Sequence, residues 1–196
     1  MKHTLISIVA LTLTLAVGTA LPQGKGKGKG KGKGGPGLTL TTTSFQDGGI
    51  IPDKYTQQVG DAAVSPELSW SNVPAGTQSF VLRMHDPDVA IGGTSTDVLH
   101  WLVVNIPGTR TGLPQGVPAN PVVIEGGGTQ LKGIRDIGYR GPGAPAAGPP
   151  HHYTFELFAL DTMLELPVEA TLDDVYEAME GHIVGKGVLV GRFIRH

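Results

Sequence analysis

The sequence predicts a mainly β fold from Leu38 onward, on three observations. Apolar runs in this part of the chain are short and rich in β-branched and aromatic residues, which favour strands. Proline and glycine recur between the runs, and the chain of 196 residues contains 30 glycines and 15 prolines, which mark turns and loops. Only one segment has the apolar spacing of a helix. We therefore expect one β domain with a single C-terminal helix.

Five segments are predicted to be strands. Residues 38–43 are rich in threonine and alternate between apolar and polar side chains. Residues 80–85 suit a strand that is buried on one face, and residues 99–106 form a longer apolar run that is typical of a central strand. Residues 153–160 place four apolar or aromatic side chains on one face. Residues 188–194 complete the set as the last strand.

The predicted helix covers residues 172–184. Thr171 and Asp174 have the spacing of a capping box at its start. Gly185 is a suitable residue to end it. Its apolar stripe is expected to face the core and consists of Leu172, Val175, Tyr176, Met179 and Ile183.

The N-terminal part of the chain differs from the rest in composition. Residues 1–20 have the basic start, short apolar core and small residues of a secretory signal peptide, with cleavage expected after Ala20; a membrane anchor is the alternative. Residues 21–37 alternate glycine and lysine and are predicted to be a disordered linker. This linker is either a solvated spacer or a cationic arm for anionic polymers or headgroups. The folded domain is expected to cover residues 38–196, and the protein to be secreted.

The charge of the predicted domain argues against nucleic acid as a partner. Residues 1–36 contain six of the 15 Lys and Arg residues and none of the 17 Asp and Glu residues. The remaining residues therefore carry nine basic and 17 acidic side chains, a net charge of −8. The chain contains no cysteine, so the domain must be stable without disulfide bonds.

Four short polar motifs lie next to the predicted strands. Long connections, which in a compact domain usually carry or cover a site, are predicted at residues 44–67, 86–98, 107–121 and 125–150, and three of the four carry or adjoin the motifs. Strands bring distant residues to a common rim, so these motifs are expected to form one pocket. The motifs are Asp86-Pro87-Asp88, Leu99-His100-Trp101, Gly141-Pro142-Gly143 and His151-His152-Tyr153.

The residue types in these motifs favour an anionic ligand. Because strand side chains alternate, His151 and Tyr153 share one face and His152 takes the other. Glycine-rich turns such as 141–143 can bring backbone N–H groups close to an anion, and Arg140 precedes this turn. Asp86 is expected to orient His100 or to meet a cationic group of the ligand.

Other interpretations of the same residues remain open at this point. Taken singly, the Asp-Pro-Asp segment is typical of a turn, and a histidine in an apolar strand is typical of a hydrogen-bonded core residue. Histidine and aspartate are also metal ligands, but the chain has neither an H-x-x-x-H nor an H-E-x-x-H spacing. A serine hydrolase would need a nucleophile elbow, and no G-x-S-x-G segment is present.

A series of segments, taken in order, resembles the phosphatidylethanolamine-binding protein family, also called the Raf kinase inhibitor protein family. The resemblance covers about residues 38–195. Residues 179–182, Met-Glu-Gly-His, and the short C-terminal strand resemble the bacterial-type branch of the family. The segments that carry the resemblance are 65–70, 73–77, 86–88, 100–107, 138–142, 151–153 and 160–161.

The resemblance implies two antiparallel sheets, a C-terminal helix and a small anion-binding pocket. It implies that Asp86, His100, His151 and Tyr153 bind the ligand, with Gly141 and Pro142 on the wall. Asp88 and Trp101 would support the site, as would Arg140, which adjoins the glycine turn. Two departures from the family pattern are Val89-Ala90 after the Asp-Pro-Asp motif and His152 between the last histidine and the tyrosine.

Together these observations predict a secreted, monomeric, non-catalytic protein that binds a small anionic or phosphorylated ligand, such as phosphate or a phospholipid headgroup, without a cofactor. One alternative is an inhibitor of a secreted serine protease, which acts through a surface loop or the Gly-Lys arm. Another is a metal-dependent hydrolase. Inhibition of cytosolic kinases is not carried over, because the chain is expected to be secreted.

Overall fold

Two antiparallel sheets share an apolar core in the computed structural model, which describes residues 37–89, 91–93, 95, 97–120 and 122–196. The smaller sheet has the order β1-β2-β5, and its strands are β1 (Thr39–Thr41), β2 (Leu68–Ser71) and β5 (Gly112–Leu113). The larger sheet has the order β6-β4-β3-β7-β8, and its strands are β3 (Ser79–Asp86), β4 (Val98–Pro107), β6 (Thr129–Leu131), β7 (His151–Leu160) and β8 (Ile183–Phe193). The helix α1 covers Leu172–Met179. Short 3-10 helices occupy Asp53–Tyr55, Gln57–Ala62 and Ile91–Gly93.

The fold class predicted from the sequence is confirmed: the protein is mainly β, with two antiparallel sheets and one α-helix. The predicted signal peptide and most of the Gly-Lys linker lie outside the described residues. Within the part of the chain that the structure describes, no helix has the length and apolar character needed to cross a membrane.

The core between the sheets follows from strand alternation. Phe80, Leu82 and Met84 of β3 point to this core and are fully buried. Trp70 of the small sheet packs against Phe80, with ring centroids 5.3 Å apart. Large aromatic side chains therefore join the two sheets.

The opposite face of the large sheet is also buried, because α1 covers part of it. Val81 of β3 belongs to this second apolar cluster, together with Val175 and Met179 of α1. The expectation that residues 80–85 are buried on one face only is therefore wrong. β3 lies between β4 and β7, and both of its faces are covered.

The helix begins as predicted but ends earlier. The Thr171 hydroxyl accepts a hydrogen bond from the backbone N–H of Asp174, and the Asp174 carboxylate accepts one from the backbone N–H of Thr171, which confirms the capping box. Gly181, with φ of +80°, and not Gly185, marks the end of the helical segment. Ile183 therefore belongs to β8, where it is 48% exposed.

Three short strands were not predicted. β5 and β6 contain two and three residues, which are too few to show alternation, whereas the four residues of β2, Leu68-Ser69-Trp70-Ser71, do alternate and were missed. β5 lies within the connection 107–121, and β6 lies within the connection 125–150. These parts of the predicted loops are therefore held in the sheets.

Candidate functional site

A cavity of about 180 Å³ lies at the end of the core, where β3 ends and where β4 and β7 begin. Asp86 is the last residue of β3 and continues the inward face of Met84. His151 and Tyr153 lie on one face of β7, as strand alternation predicts. The residues that line the cavity are Gln57, Asp86, Val89, Val98, His100, Ile134, Arg135, Arg140, Gly143, Ala144, Pro145, His151 and Tyr153.

Asp86 is the central acceptor of the site. Its Oδ2 atom lies 2.8 Å from Nδ1 of His151, and its Oδ1 atom accepts a hydrogen bond of 2.9 Å from the backbone N–H of Asp88. It also accepts a hydrogen bond from the Tyr153 hydroxyl. The residue is only 2% exposed, so its carboxylate is occupied by donors of the protein itself.

Of the two roles expected for Asp86, orienting His100 is therefore wrong, and meeting a cationic group of the ligand stays a prediction. Asp86 orients His151 and Tyr153 instead. A carboxylate only accepts hydrogen bonds, so Nδ1 of His151 carries the proton that points to Asp86. This leaves Nε2 of His151 as the ring nitrogen that remains for a ligand.

The Tyr153 hydroxyl is held in place from both sides. It accepts hydrogen bonds from the backbone N–H groups of Gly143, at 3.1 Å, and of Ala144, and it donates to Asp86. Burial, together with the negative charge of Asp86, raises the pKa of Tyr153 well above its usual value. The phenol therefore stays protonated at physiological pH.

A β-bulge places His100 in the cavity. Met84 pairs with Trp101 and His85 pairs with Leu99, so His100 has no partner on β3. An extra residue in one strand changes the direction of its side chain relative to simple alternation. The ring of His100 packs edge-on against Tyr153, with centroids 5.2 Å apart and planes at 82°.

His100 is neutral at neutral pH. Burial lowers its pKa, and the hydrogen bond to the carbonyl oxygen of Arg140 offsets this only in part. Its Nδ1 atom lies 2.9 Å from that carbonyl oxygen, which can only accept, so Nδ1 carries the proton. The backbone N–H of Arg140 also donates a hydrogen bond of 3.0 Å to the carbonyl oxygen of His100.

Arg140 and Arg135 supply positive charge to the cavity wall. One Nη atom of Arg140 donates a hydrogen bond of 3.0 Å to Oε1 of Gln57. Gln57 in turn donates through Nε2 to the carbonyl oxygen of Gly141, at 2.8 Å. The lining thus combines two guanidinium groups with the single carboxylate of Asp86.

The glycine turn has a different role from the one expected. A Cβ atom at Gly141 would lie 2.5 Å from the carbonyl oxygen of Tyr55, so close packing against the 55–56 backbone requires glycine there. Gly141 does not line the cavity around Asp86, and Pro142 accepts a backbone hydrogen bond from Gln57. The N–H of Gly143 is used by Tyr153.

The remaining predicted residues lie outside the cavity. Trp101 is fully buried in the core, where its Nε1 donates to Oε1 of Gln130 at 2.9 Å. Asp88 accepts hydrogen bonds from the backbone N–H and Nδ1 of His152 at the surface. These bonds offset the effect of burial and lower the pKa of Asp88. His152 therefore lies on the opposite face from His151, as expected.

Several lining residues were missed by sequence reasoning. Gln57 comes from the connection 44–67, Arg135 and Ile134 from the connection 125–150, and Val98 from the start of β4. The length of these connections indicated that they carry or cover a site. Val89, one of the two departures from the family pattern, lines the cavity, and Ala90 lies outside the described residues.

Metal-ligating residues are not clustered in the described ranges: they contain no group of three or more His, Cys, Asp or Glu side chains suited to a metal ion.

The fold and the polar cavity define a class of two-sheet β proteins with a polar cavity at the ends of the strands. The family model described as phosphatidylethanolamine-binding protein matches residues 41–194. The chain therefore belongs to the phosphatidylethanolamine-binding protein family.

Individual relatives agree with this assignment. A UPF0098 protein of Methanothermobacter thermautotrophicus is 40% identical over 157 residues, which cover 79% of this chain and 97% of the relative. A crystal structure of a phosphatidylethanolamine-binding protein homolog from Chlamydia trachomatis matches with a TM-score of 0.71 and 34% identity, over 82% of this chain and 99% of that one. The structure of Escherichia coli YbcL, described as a member of the mammalian family, matches with a TM-score of 0.66 and 26% identity, over 82% of this chain and 100% of that one.

Proposed function

We propose that the protein is a non-catalytic receptor for a small anion, which binds in the cavity between His151, His100 and Arg140. One observation carries the proposal: Asp86 accepts three hydrogen bonds from the protein and is only 2% exposed. Its negative charge is therefore used to hold His151 and Tyr153. The groups that remain for a ligand are the two guanidinium groups and Nε2 of His151, together with Nε2 of His100, which lies on a neutral ring and can accept a hydrogen bond from a protonated oxygen of the ligand.

The charge of the lining supports an anion over a cation. Protonated His151 beside Asp86 would form a neutral pair that presents an N–H group to the cavity. Arg140 can exchange the neutral oxygen of Gln57 for a charged oxygen of the ligand, and guanidinium groups bind phosphate and carboxylate well. A cation would meet these groups without a free carboxylate to pair with.

The side chains of the lining also support ligand binding without catalysis. None of the lining residues is a serine, threonine, cysteine or lysine, the usual nucleophiles. Asp86 is already saturated with donors, and Tyr153 holds its proton because burial raises its pKa. Two histidines of the lining could act as a general base for water, namely His100, whose pKa burial lowers, and His151 through its Nε2 atom, but the lining offers them no serine, threonine, cysteine or lysine to activate.

The ligand can be free phosphate or the phosphate of a lipid headgroup. The description of the matching family model names phosphatidylethanolamine, which places a phosphodiester among the candidates. We also propose that the protein acts outside the cell, because residues 1–20 have the composition of a secretory signal peptide. N-terminal sequencing of the mature protein from the producing cell tests this, and retention of Met1 and Lys2 would contradict it.

Titration of isotope-labelled protein with inorganic phosphate and with glycerophosphoethanolamine tests the anion site. We expect shifts at His100, His151 and Arg140 with at least one of the two, and the stronger ligand identifies the source of the phosphate. His151→Ala should weaken binding by about tenfold, since it removes one charge-assisted hydrogen bond.

His152→Ala is the matched control. It removes the neighbouring histidine, which faces the surface and bonds to Asp88, and it should leave the affinity within about twofold. If neither ligand shifts these residues, or if both variants weaken binding equally, the proposed anion site is wrong.

A further inference from the structure

A second and larger cavity adjoins the anion cavity. It has a volume of about 420 Å³ and lies beside the 3-10 helix Gln57–Ala62, the turn at Gly116 and the segment 134–141. Five residues line both cavities, namely Gln57, His100, Ile134, Arg135 and Arg140. The two spaces therefore meet at a common wall.

The side chains of Gln57 and Arg140 form part of this wall. Its centre is the hydrogen bond from Arg140 to Oε1 of Gln57, at 3.0 Å. Gln57 packs closely against Gly143, where a Cβ atom would lie 2.4 Å from its Nε2. If Arg140 turns to an anion in the smaller cavity, its hydrogen bond to Gln57 is lost, and this change in the shared wall would favour a connection between the two cavities.

The second cavity suits a different chemistry from the first. Apolar side chains contribute much of its lining, among them Val64, Val117, Ile134 and Ile137. Two exposed carboxylates, Asp61 and Asp136, also border it, and its lining cations, Arg135 and Arg140, are the two that it shares with the anion cavity. Once these arginines bind the anion, the carboxylates would repel a second negative charge.

We infer that the natural ligand is an anion joined to an organic group without a second negative charge, with the anion in the cavity of Asp86 and the organic group in the cavity beyond Gln57 and Arg140. The inference rests on the proposed anion site and extends it. A volume of about 180 Å³ holds a phosphate group but not a large substituent, whereas the adjoining 420 Å³ holds a ring or a sugar-sized group.

Ala63 and Ala62 offer a matched pair of variants to test this inference. Ala63 lines the second cavity, and Ala62, its neighbour, is exposed and lines neither cavity. Ala63→Phe should fill part of the second cavity and leave the anion cavity unchanged. Ala62→Phe adds the same side chain to the surface.

The probes are inorganic phosphate, phenyl phosphate and 4-carboxyphenyl phosphate, with affinities measured by calorimetry on the wild-type protein and both variants. We expect phenyl phosphate to bind about tenfold more tightly than inorganic phosphate to the wild-type protein, because its ring leaves water. Ala63→Phe should remove most of this advantage, and Ala62→Phe should retain it. The added carboxylate should remove most of it as well, through Asp61 and Asp136.

The outcomes separate the two proposals. If inorganic phosphate binds but phenyl phosphate binds no more tightly, or if the two alanine variants respond equally, the inference about the second cavity is wrong and the anion site stands. Tight binding of 4-carboxyphenyl phosphate would overturn the assignment of a group without a second negative charge. If no probe binds to the wild-type protein, the proposed function fails as well.

Discussion

His85 and Asp86 are consecutive on β3, and their side chains leave the sheet on opposite faces. Each belongs to a pair of histidine and aspartate. Nδ1 of His85 lies 2.5 Å from Oδ2 of Asp97, and Nδ1 of His151 lies 2.8 Å from Oδ2 of Asp86. A hydrogen-bonded pair of histidine and aspartate therefore occurs on each face of β3, at consecutive residues.

The surroundings of the two pairs differ. On the helix side, Arg83 donates to Asp97 at 2.8 and 2.9 Å and to Glu156 at 3.1 Å, and Lys186 also bonds to Glu156. Two cations therefore face two carboxylates in this outer cluster. On the cavity side, Asp86 is the one carboxylate of a lining that also holds two arginines.

The comparison shows that a buried histidine and aspartate pair does not by itself mark a functional site. In the outer cluster each charged group is matched by the protein, so the pair contributes to stability. In the cavity the carboxylate is saturated while the positive groups border empty volume, so the pair can present them to a ligand. Substitutions in the outer cluster should therefore change the free energy of unfolding, and substitutions in the cavity should change the affinity for phosphate.

Arg83→Leu should have the largest effect and act on stability alone. It leaves Asp97 and Glu156, whose side chains are 24% and 12% exposed, without their shared cation. We expect the free energy of unfolding to fall by about 2 kcal/mol in urea denaturation, a value below that of fully buried pairs because water reaches Asp97. Phosphate affinity should stay within about twofold.

Arg195→Leu is the control for this prediction, because Arg195 is exposed at the end of the chain. It should change the free energy of unfolding by less than about 0.5 kcal/mol. A loss of phosphate affinity in Arg83→Leu, without a comparable loss in Arg195→Leu, would show that the outer cluster contributes to binding.

Asp86→Asn and Asp97→Asn compare the two aspartates directly. Asp86→Asn removes the charge that holds His151 and Tyr153, so phosphate should bind about tenfold more weakly by calorimetry. Asp97→Asn removes the equivalent charge from the outer cluster, and it should lower the free energy of unfolding without a matching loss of affinity. Equal losses of affinity would contradict the separation of the two faces.

The sequence predicts that Asp86, His100, His151 and Tyr153 lie in one cavity, but it does not predict which of them form hydrogen bonds with one another. Alternation along β7 places His151 and Tyr153 together, because both lie in a regular strand. The same rule fails for His100, since a bulge in β4 is a property of two paired strands and leaves no trace in one of them.

Long-range packing explains the other differences. Glycine at 141 is required by the backbone of Tyr55, which lies 86 positions earlier in the chain and whose approach depends on the folded structure. Gln57, a neighbour of this contact, lies in a segment without a motif, so its place in the wall between the cavities cannot be inferred from composition. By contrast, the capping box at Thr171 is local, and the sequence predicts it correctly.

Thr171→Ala tests whether α1, which covers the face of the large sheet that contains Val81, contributes to stability without affecting phosphate affinity. The substitution removes the hydroxyl that accepts from the backbone N–H of Asp174. We expect the free energy of unfolding to fall by about 1 kcal/mol. Phosphate affinity should not change, and Thr171→Ser, which keeps the hydroxyl, should restore most of the stability. A drop in affinity with Thr171→Ala alone would indicate that α1 supports the cavity.

His100 should produce the smallest effect, and one that depends on pH. Burial lowers its pKa in the folded protein below the unfolded value of about 6.5. As the pH falls through about 6.5, His100 becomes protonated in the unfolded chain but not yet in the folded protein. Protonation therefore favours the unfolded chain, and the contribution of His100 to stability is lost towards acid pH. The free energies of unfolding of the wild-type protein and His100→Gln should therefore approach each other between pH 7.5 and 5.5. Urea denaturation at both pH values measures this gap. A gap that stays constant or widens would mean that His100 is protonated as readily in the folded cavity as in the unfolded chain.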